Sequence, residues 1–466
     1  MSDIIIDYTN VMASAVGIEN GLTGEHLSAL NLTAAQIHAG LTKRRKAGEL
    51  PFYDLPYRIE EAKEIRNAAK KIRNEFSTMV VLGIGGSALG TTALFSALRH
   101  TLHNSLSASK RDGVRLIMLD NIDPDWLTEI LSTLKLNETV FNIISKSGAT
   151  AETSAQFLIA LDILKKKLGP KKWRKHVIIT TDARKGTLRP IAEEFKLKTF
   201  AVPDGVGGRF TVFTPVSLLP AASAGIDIME LLEGAARMDE RCLEPDIHCN
   251  PAYLFASVHY LLDTMRAKKM AVMMPYSNKL YYVADWFRQM WAESLGKARD
   301  NDGNPVHVGQ TPIKALGATD QHSQVQLYVE GPYDKVVTFL EVEKFAKEVH
   351  IPLEFPNVPE LAYLSGHTLN ELIAVERRGT EYALTKNRRP NLTIKLPAVT
   401  SHTVGQLLYM LEVSTAFAGG LYRINAFDQP GVEFGKDYAY AMFGKKGYEE
   451  KKKELEEKGE GDRKRV

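Results

Sequence analysis

The sequence predicts an α/β fold of two doubly wound domains, each a mainly parallel sheet with helices on both faces. Three observations carry that prediction. Short apolar runs recur along the chain, and most are continuous rather than alternating, the pattern of strands buried on both faces of a parallel sheet. Helical stretches separate the runs, giving strand–helix–strand alternation. The composition is ordinary for a globular protein, with 466 residues, 44% hydrophobic and 25% charged. At about 150 residues per domain, this length suits two or three domains.

Residues 1–50 read mostly as amphipathic helix, closed by a polar linker around 48–51. The first α/β domain is placed at 51–204. Its strands are expected at 79–85 (MVVLGIG), 114–120 (VRLIMLD), 139–145 (TVFNIIS), 176–182 (HVIITTD) and 198–203 (KTFAVP), with helices at 88–104, 123–135, 151–167 and 188–195. The glycine-rich DGVGGR at 204–209 looks like a boundary, and a second α/β domain is placed at 205–444. It begins with helices near 216–236 and 249–268, a strand at 270–275 and a helix near 279–298. Strands at 325–329 (VQLYV) and 336–341 precede helices near 342–349 and 367–385, and a strand at 392–396 leads to a long helix at 402–419. The tail 445–466 is Lys/Glu-rich and reads as charged helix or disordered, outside the chemistry.

The charge balance excludes several classes of function. A net charge of +3 over this length gives no basic field for nucleic acid or a membrane surface. No apolar run approaches the ~20 residues of a membrane span, and the N-terminal sequence MSDIIIDYTNVM lacks the features of a secretory signal, so a cytoplasmic protein is expected. Cys242 and Cys249 read as ordinary thiols, and His248 completes no ligand set, so no metal site is expected.

Six segments could carry chemistry. Straight after the first strand, Gly83 to Gly90 (GIGGSALG) lets the backbone turn sharply and offers amides to an anion. It also fits a weak dinucleotide fingerprint, but Asp120 lies well past the ~20-residue distance of the acidic ribose ligand, which disfavours a nicotinamide dehydrogenase. At the end of the third strand, Ser145, Lys146, Ser147, Gly148 and Thr150 cluster before a helix, a donor set suited to one phosphate. The G-x-x-x-x-G-K frame of a nucleoside-triphosphate loop is missing, and capping serines would read the same way. Arg209, in GGRFT, sits on a glycine turn where a fixed guanidinium suits a developing oxyanion, or an inter-domain salt bridge. Gln289 and Glu293 are four apart on a helix among Trp286, Met290 and Trp291, where a carboxylate can act as a base. The competing reading pairs Glu293 with Lys297 on a wet surface. His322, in DQHSQ, can move protons near neutral pH. Gln429 and Lys436, in FDQPGVEFGK, could face one ligand, or the lysine could sit on the surface of a proline-started helix.

Taken in order, GIGGSALG, SKSGATAET, VGGRFTVFTPVSLLP, QMWAESLGK, TDQHSQ and AFDQPGVEFGK resemble the phosphoglucose isomerase family from about residue 50 to 444. The resemblance implies two sugar-isomerase (SIS-type) domains in a homodimer, with no cofactor and no metal. It implies interconversion of glucose 6-phosphate and fructose 6-phosphate through a cis-enediolate. By the same resemblance Gly86 and Ser87 match the glycine loop near the substrate. Ser145, Ser147 and Thr150 match the phosphate-binding hydroxyls, with Lys146 between them; many longer relatives have threonine where Ser147 stands. Arg209 matches the arginine that stabilises the enediolate. Glu293 matches the base, with Gln289 one turn before it. His322 matches the ring-opening histidine, which in the family comes from the partner subunit. Gln429 and Lys436 match the residues at the sugar phosphate. Two related readings remain beside it: an isomerase that also accepts mannose 6-phosphate, and a non-catalytic sugar-phosphate sensor, which should lack the base.

Overall fold

The continuous apolar runs become strands with both faces buried. The computed structural model describes residues 3–458. In chain order its strands are β1 (Ile5–Asp7), β2 (Thr78–Leu82), β3 (Arg115–Leu119), β4 (Thr139–Ile144), β5 (Val177–Asp182), β6 (Lys198–Val202), β7 (Met270–Pro275), β8 (Lys297–Arg299), β9 (Pro305–Val308), β10 (Thr311–Lys314), β11 (Lys335–Val342) and β12 (Asn391–Leu396). One sheet runs β3-β2-β4-β5-β6, every pair parallel. The other runs β1-β12-β11-β7-β10, parallel except for β1, which lies antiparallel on β12. A short antiparallel pair, β8-β9, stands apart.

Strand β2 shows why its run is not alternating. Val80 and Leu82 face a core with Phe157 and Leu164 of helix Ala151–Lys172. Met79 and Val81 face the opposite core, with Leu94 of helix Leu89–Leu98. That second core is shared, because Ala271 and Met273 of β7 and Leu340 of β11 join it from the other sheet. Each of the buried valine, leucine, methionine and phenylalanine side chains contributes roughly 1.5–3 kcal/mol by leaving water.

Helix Ser401–Leu421 runs through this shared core, and every residue in it except Gly420 is buried. It crosses helix Ile228–Arg241 so closely that a Cβ on Gly234 would sit 1.9 Å from the carbonyl of His402. Only a residue without a side chain fits there. Among the described residues, no helix is long and apolar enough to cross a membrane.

The five strands expected in the first half all form; four match their expected ends within one residue, and β2 ends at Leu82, three residues short of 85. Elsewhere the fold departs from expectation. Residues 1–50 hold helix Asn31–Lys46 but also β1, whose register is set by β12, far along the chain. The helix expected near 216–236 is two, Pro215–Ser223 and Ile228–Arg241, because Asp227 caps a fresh start by accepting from the amides of Met229 and Glu230. The expected strand 325–329 is helix Val325–Glu330, in which the Tyr328 hydroxyl donates to Gln324 Oε1 one turn back at 2.6 Å. Its apolar run is short enough to suit either structure. The place beside β7 is taken instead by β10, which the sequence reading missed. No helix forms at 342–349; β11 ends at Val342 and the chain runs on irregularly. The tail forms helix Glu449–Lys458, and 459–466 lies outside the described residues.

Candidate active site

In the first sheet the chain passes from β2 to β3 on one side and on to β4 on the other, so the strand order reverses between β2 and β4. Loops at the carboxyl ends of such strands border a crevice. Here they are 83–88 after β2 and 145–150 after β4.

The first loop lies against the Arg209 turn. A Cβ on Gly86 would be 2.2 Å from the carbonyl of Gly208, so glycine is required for the two backbones to touch. The Thr211 hydroxyl is placed to donate to the carbonyls of Gly208 (2.7 Å) and Gly86 (3.1 Å), joining the two segments. Ser87 is half-buried in the same turn.

The second loop is organised by its own hydroxyls. Ser145 Oγ is 3.0 Å from Thr150 Oγ1 and accepts from the Gly148 amide at 3.1 Å. Ser147 Oγ accepts from the Ala149 amide at 3.2 Å. Lys146 turns away and donates to the Val206 carbonyl at 2.7 Å, holding this loop to the glycine turn. Ser147 and Thr150 line a cavity of about 350 Å³ whose opposite wall carries Val432, Lys436 and Tyr440. The Tyr440 hydroxyl donates to the Ala149 carbonyl at 3.2 Å, and Lys436 Nζ is 2.8 Å from Glu433 Oε1.

A larger cavity of about 550 Å³ adjoins it and shares Val432. Gln289, Glu293 and Gln429 line it. Gln289 Nε2 donates to Glu293 Oε2 at 3.0 Å, as their four-residue spacing on helix Tyr281–Leu295 allows. Arg209 lies behind them, only 3% exposed. Its Nε donates to Ser294 Oγ at 2.6 Å, its Nη1 to Gln429 Oε1 at 3.0 Å, and its Nη2 to the carbonyls of Ala426 (2.5 Å) and Asp428 (3.2 Å). Nη1 is also 3.7 Å from Glu293 Oε1. Burial lowers the guanidinium below its ordinary value, and Glu293 and Asp428 act against that shift.

Glu293, Gln289, Arg209 and Gln429 are therefore brought together, with Ser147, Thr150 and Lys436 in the neighbouring cavity. His322 is not among them: it sits exposed on the turn Thr319–His322 and lines neither cavity. The surface pairing of Glu293 with Lys297 does not form either. Lys297 Nζ donates instead to backbone carbonyls, those of Glu293 and Ser294 at 2.9 Å each and of Asp428 at 3.0 Å. Ser294 and Tyr440 escaped the sequence reading, and Lys297 entered it only as a surface partner for Glu293. Only Tyr440 left a signal, its four-residue spacing from Lys436.

A family model described as phosphoglucose isomerase matches residues 62–458. A glucose-6-phosphate isomerase of Carboxydothermus hydrogenoformans is 53% identical over 416 residues, 89% of each chain. Among solved structures, a hypothetical protein of Thermus thermophilus superposes with a TM-score of 0.83 at 36% identity, covering 94% of this chain and 99% of that one. A glucose-6-phosphate isomerase of Chlamydia trachomatis superposes with a TM-score of 0.72 at 25% identity, covering 83% of this chain and 73% of that one.

Proposed function

The chain belongs to the phosphoglucose isomerase family and is an isomerase; from that premise we propose that it interconverts glucose 6-phosphate and fructose 6-phosphate through a cis-enediolate, with Glu293 carrying the proton between C2 and C1. The observation that carries this reading is the meeting of the two cavities at Val432. One offers hydroxyls and an ammonium to a phosphate; the other offers a carboxylate backed by a fixed guanidinium.

The sugar phosphate enters with its phosphate toward Ser147 and Thr150, where the start of helix Ala151–Lys172 adds a favourable dipole. Anchoring that remote group orients the reacting carbons beside Glu293, which lowers the barrier through positioning. Glu293 takes the proton from one carbon and returns it to the other. Gln289 holds one carboxylate oxygen, and the other, 3.7 Å from Arg209 Nη1, is the one left to act on the carbons. Arg209 is fixed in place before reaction, so it offsets the enediolate charge without reorganising. Ring opening needs a donor–acceptor pair, and His322 with Lys436 supplies it. The family resemblance brings that histidine from a partner subunit, and the exposure of His322, away from both cavities of its own chain, suits such a role in a homodimer.

The test is fructose 6-phosphate turnover by the full chain, with glucose 6-phosphate detected by a coupled dehydrogenase. Glu293→Gln should lower kcat by about 10²–10⁴-fold, the usual worth of a positioned acid–base group, while competitive inhibition by inorganic phosphate is retained. A variant with near-normal turnover would falsify the base assignment. A folded wild type that binds sugar phosphate without turning it over would instead support a sensor.

A further inference from the structure

Lys297 is 8% exposed and lies directly behind Glu293. An ammonium has three N–H donors, and here all three have backbone acceptors. Two are the Glu293 and Ser294 carbonyls in the last turn of helix Tyr281–Leu295. Carbonyls at that position have no amide partner within the helix, so the amine takes the place of the missing turn. The third is the Asp428 carbonyl, which also accepts from Arg209 Nη2. The Asp428 carboxylate stands 3.6 Å from the amine and balances its charge. Burial and the nearby Arg209 push this amine below its ordinary pKa, and Asp428 works against that shift.

These bonds close a ring. Ser294 gives its carbonyl to Lys297 and its hydroxyl oxygen to Arg209; Arg209 holds Gln429; Gln429 follows Asp428; Asp428 returns to Lys297. With every donor engaged, Lys297 has none for a ligand. We propose that Lys297 is a positioning residue for the isomerisation, fixing the end of the Glu293 helix against the loop that carries Gln429 and against Arg209. The proposal rests on the reading of Glu293 as the base.

The test compares the full-length wild type with Lys297→Met, which keeps the aliphatic stem and removes the charge and donors. A base displaced by even an ångström loses about 10²-fold, so kcat should fall by roughly 10–100-fold. KM for fructose 6-phosphate should stay within about threefold and the inhibition constant of inorganic phosphate within about twofold, because the hydrogen bonds of Lys297 run to Glu293, Ser294 and Asp428 and not to the hydroxyl loop. Lys297→Arg, which keeps charge and donors, should recover at least half of the loss on a logarithmic scale. Circular dichroism and melting temperature report whether each variant is folded. A folded methionine variant with kcat within about threefold of wild type overturns the proposal, and so does an arginine variant as impaired as the methionine one. Should Lys297→Met fail to fold, Lys297→Gln, neutral but still a donor, is held to the same limits. A wild type without turnover overturns the functional reading and the proposal with it; an active wild type beside an unaffected variant overturns the proposal alone.

Discussion

The two cavities meet at one valine, yet their walls are built differently. The wall around Glu293 belongs to the interior. Helix Tyr281–Leu295 buries Trp286, Met290 and Trp291, and Arg209 is held by four hydrogen bonds to parts of the chain far apart in sequence. The outer wall of the phosphate-sized cavity belongs to the surface. Helix Glu433–Met442 buries only Ala441, leaves Phe434 75% exposed, and reaches the hydroxyl loop through the Tyr440 hydroxyl. The difference suits the two tasks proposed for these walls. A group that must meet charge developing on one carbon has to be fixed beforehand. A phosphate carries its charge throughout, so its site tolerates a wall of low local stability.

Substitutions on the two walls should therefore separate. After Glu293→Gln, the largest effect is expected from Arg209→Lys, which keeps the charge but loses the planar fork. Its kcat should fall by roughly 10²–10³-fold, the worth of a lost oxyanion donor, and its melting temperature should fall too. A loss under about tenfold would mean that the interior wall needs no rigid guanidinium. Next is Ser147→Ala. Losing a hydrogen bond to a charged group costs about 1.5–3 kcal/mol, so KM should rise about tenfold or more, with kcat within about threefold of wild type. A pure kcat loss would erase the division of labour. The smallest is Tyr440→Phe, which removes one neutral hydrogen bond of about 1 kcal/mol. KM should rise about threefold to fivefold while the melting temperature stays constant, since so little of that helix is buried. A clear drop in melting temperature would show the outer wall to be tied to the core after all.

How legible each part was in the sequence follows the range of the interactions that make it. Strands β2, β4 and β5 were legible because burial on both faces writes a continuous apolar run into consecutive residues. The hydroxyl loop was legible because its donors lie within six positions, 145–150. Gln289 and Glu293 showed their shared face through spacing. Strand β1 was not legible, since it is a strand only because β12 offers an edge, nor was β10, short and bordered by β7. Helix Val325–Glu330 was misread because five apolar-rich residues cannot distinguish two periodicities. Lys297 was read as a surface partner of Glu293, and its bracing role was not legible because one of its partners, Asp428, is 131 positions away.

The valine shared by the two cavities also has a consequence for what the protein accepts. The hydroxyl loop follows a central strand and Glu293 stands on a buried helix, so the gap between them is a property of the scaffold. In the proposed binding mode, with phosphate in one cavity and the carboxylate in the other, that gap would act as a ruler for carbon number. A phosphorylated sugar too short to span it leaves its carbonyl out of reach of the base, however well its phosphate is held. Under that proposal chain length would be sorted by distance, with no need for a contact to any particular hydroxyl.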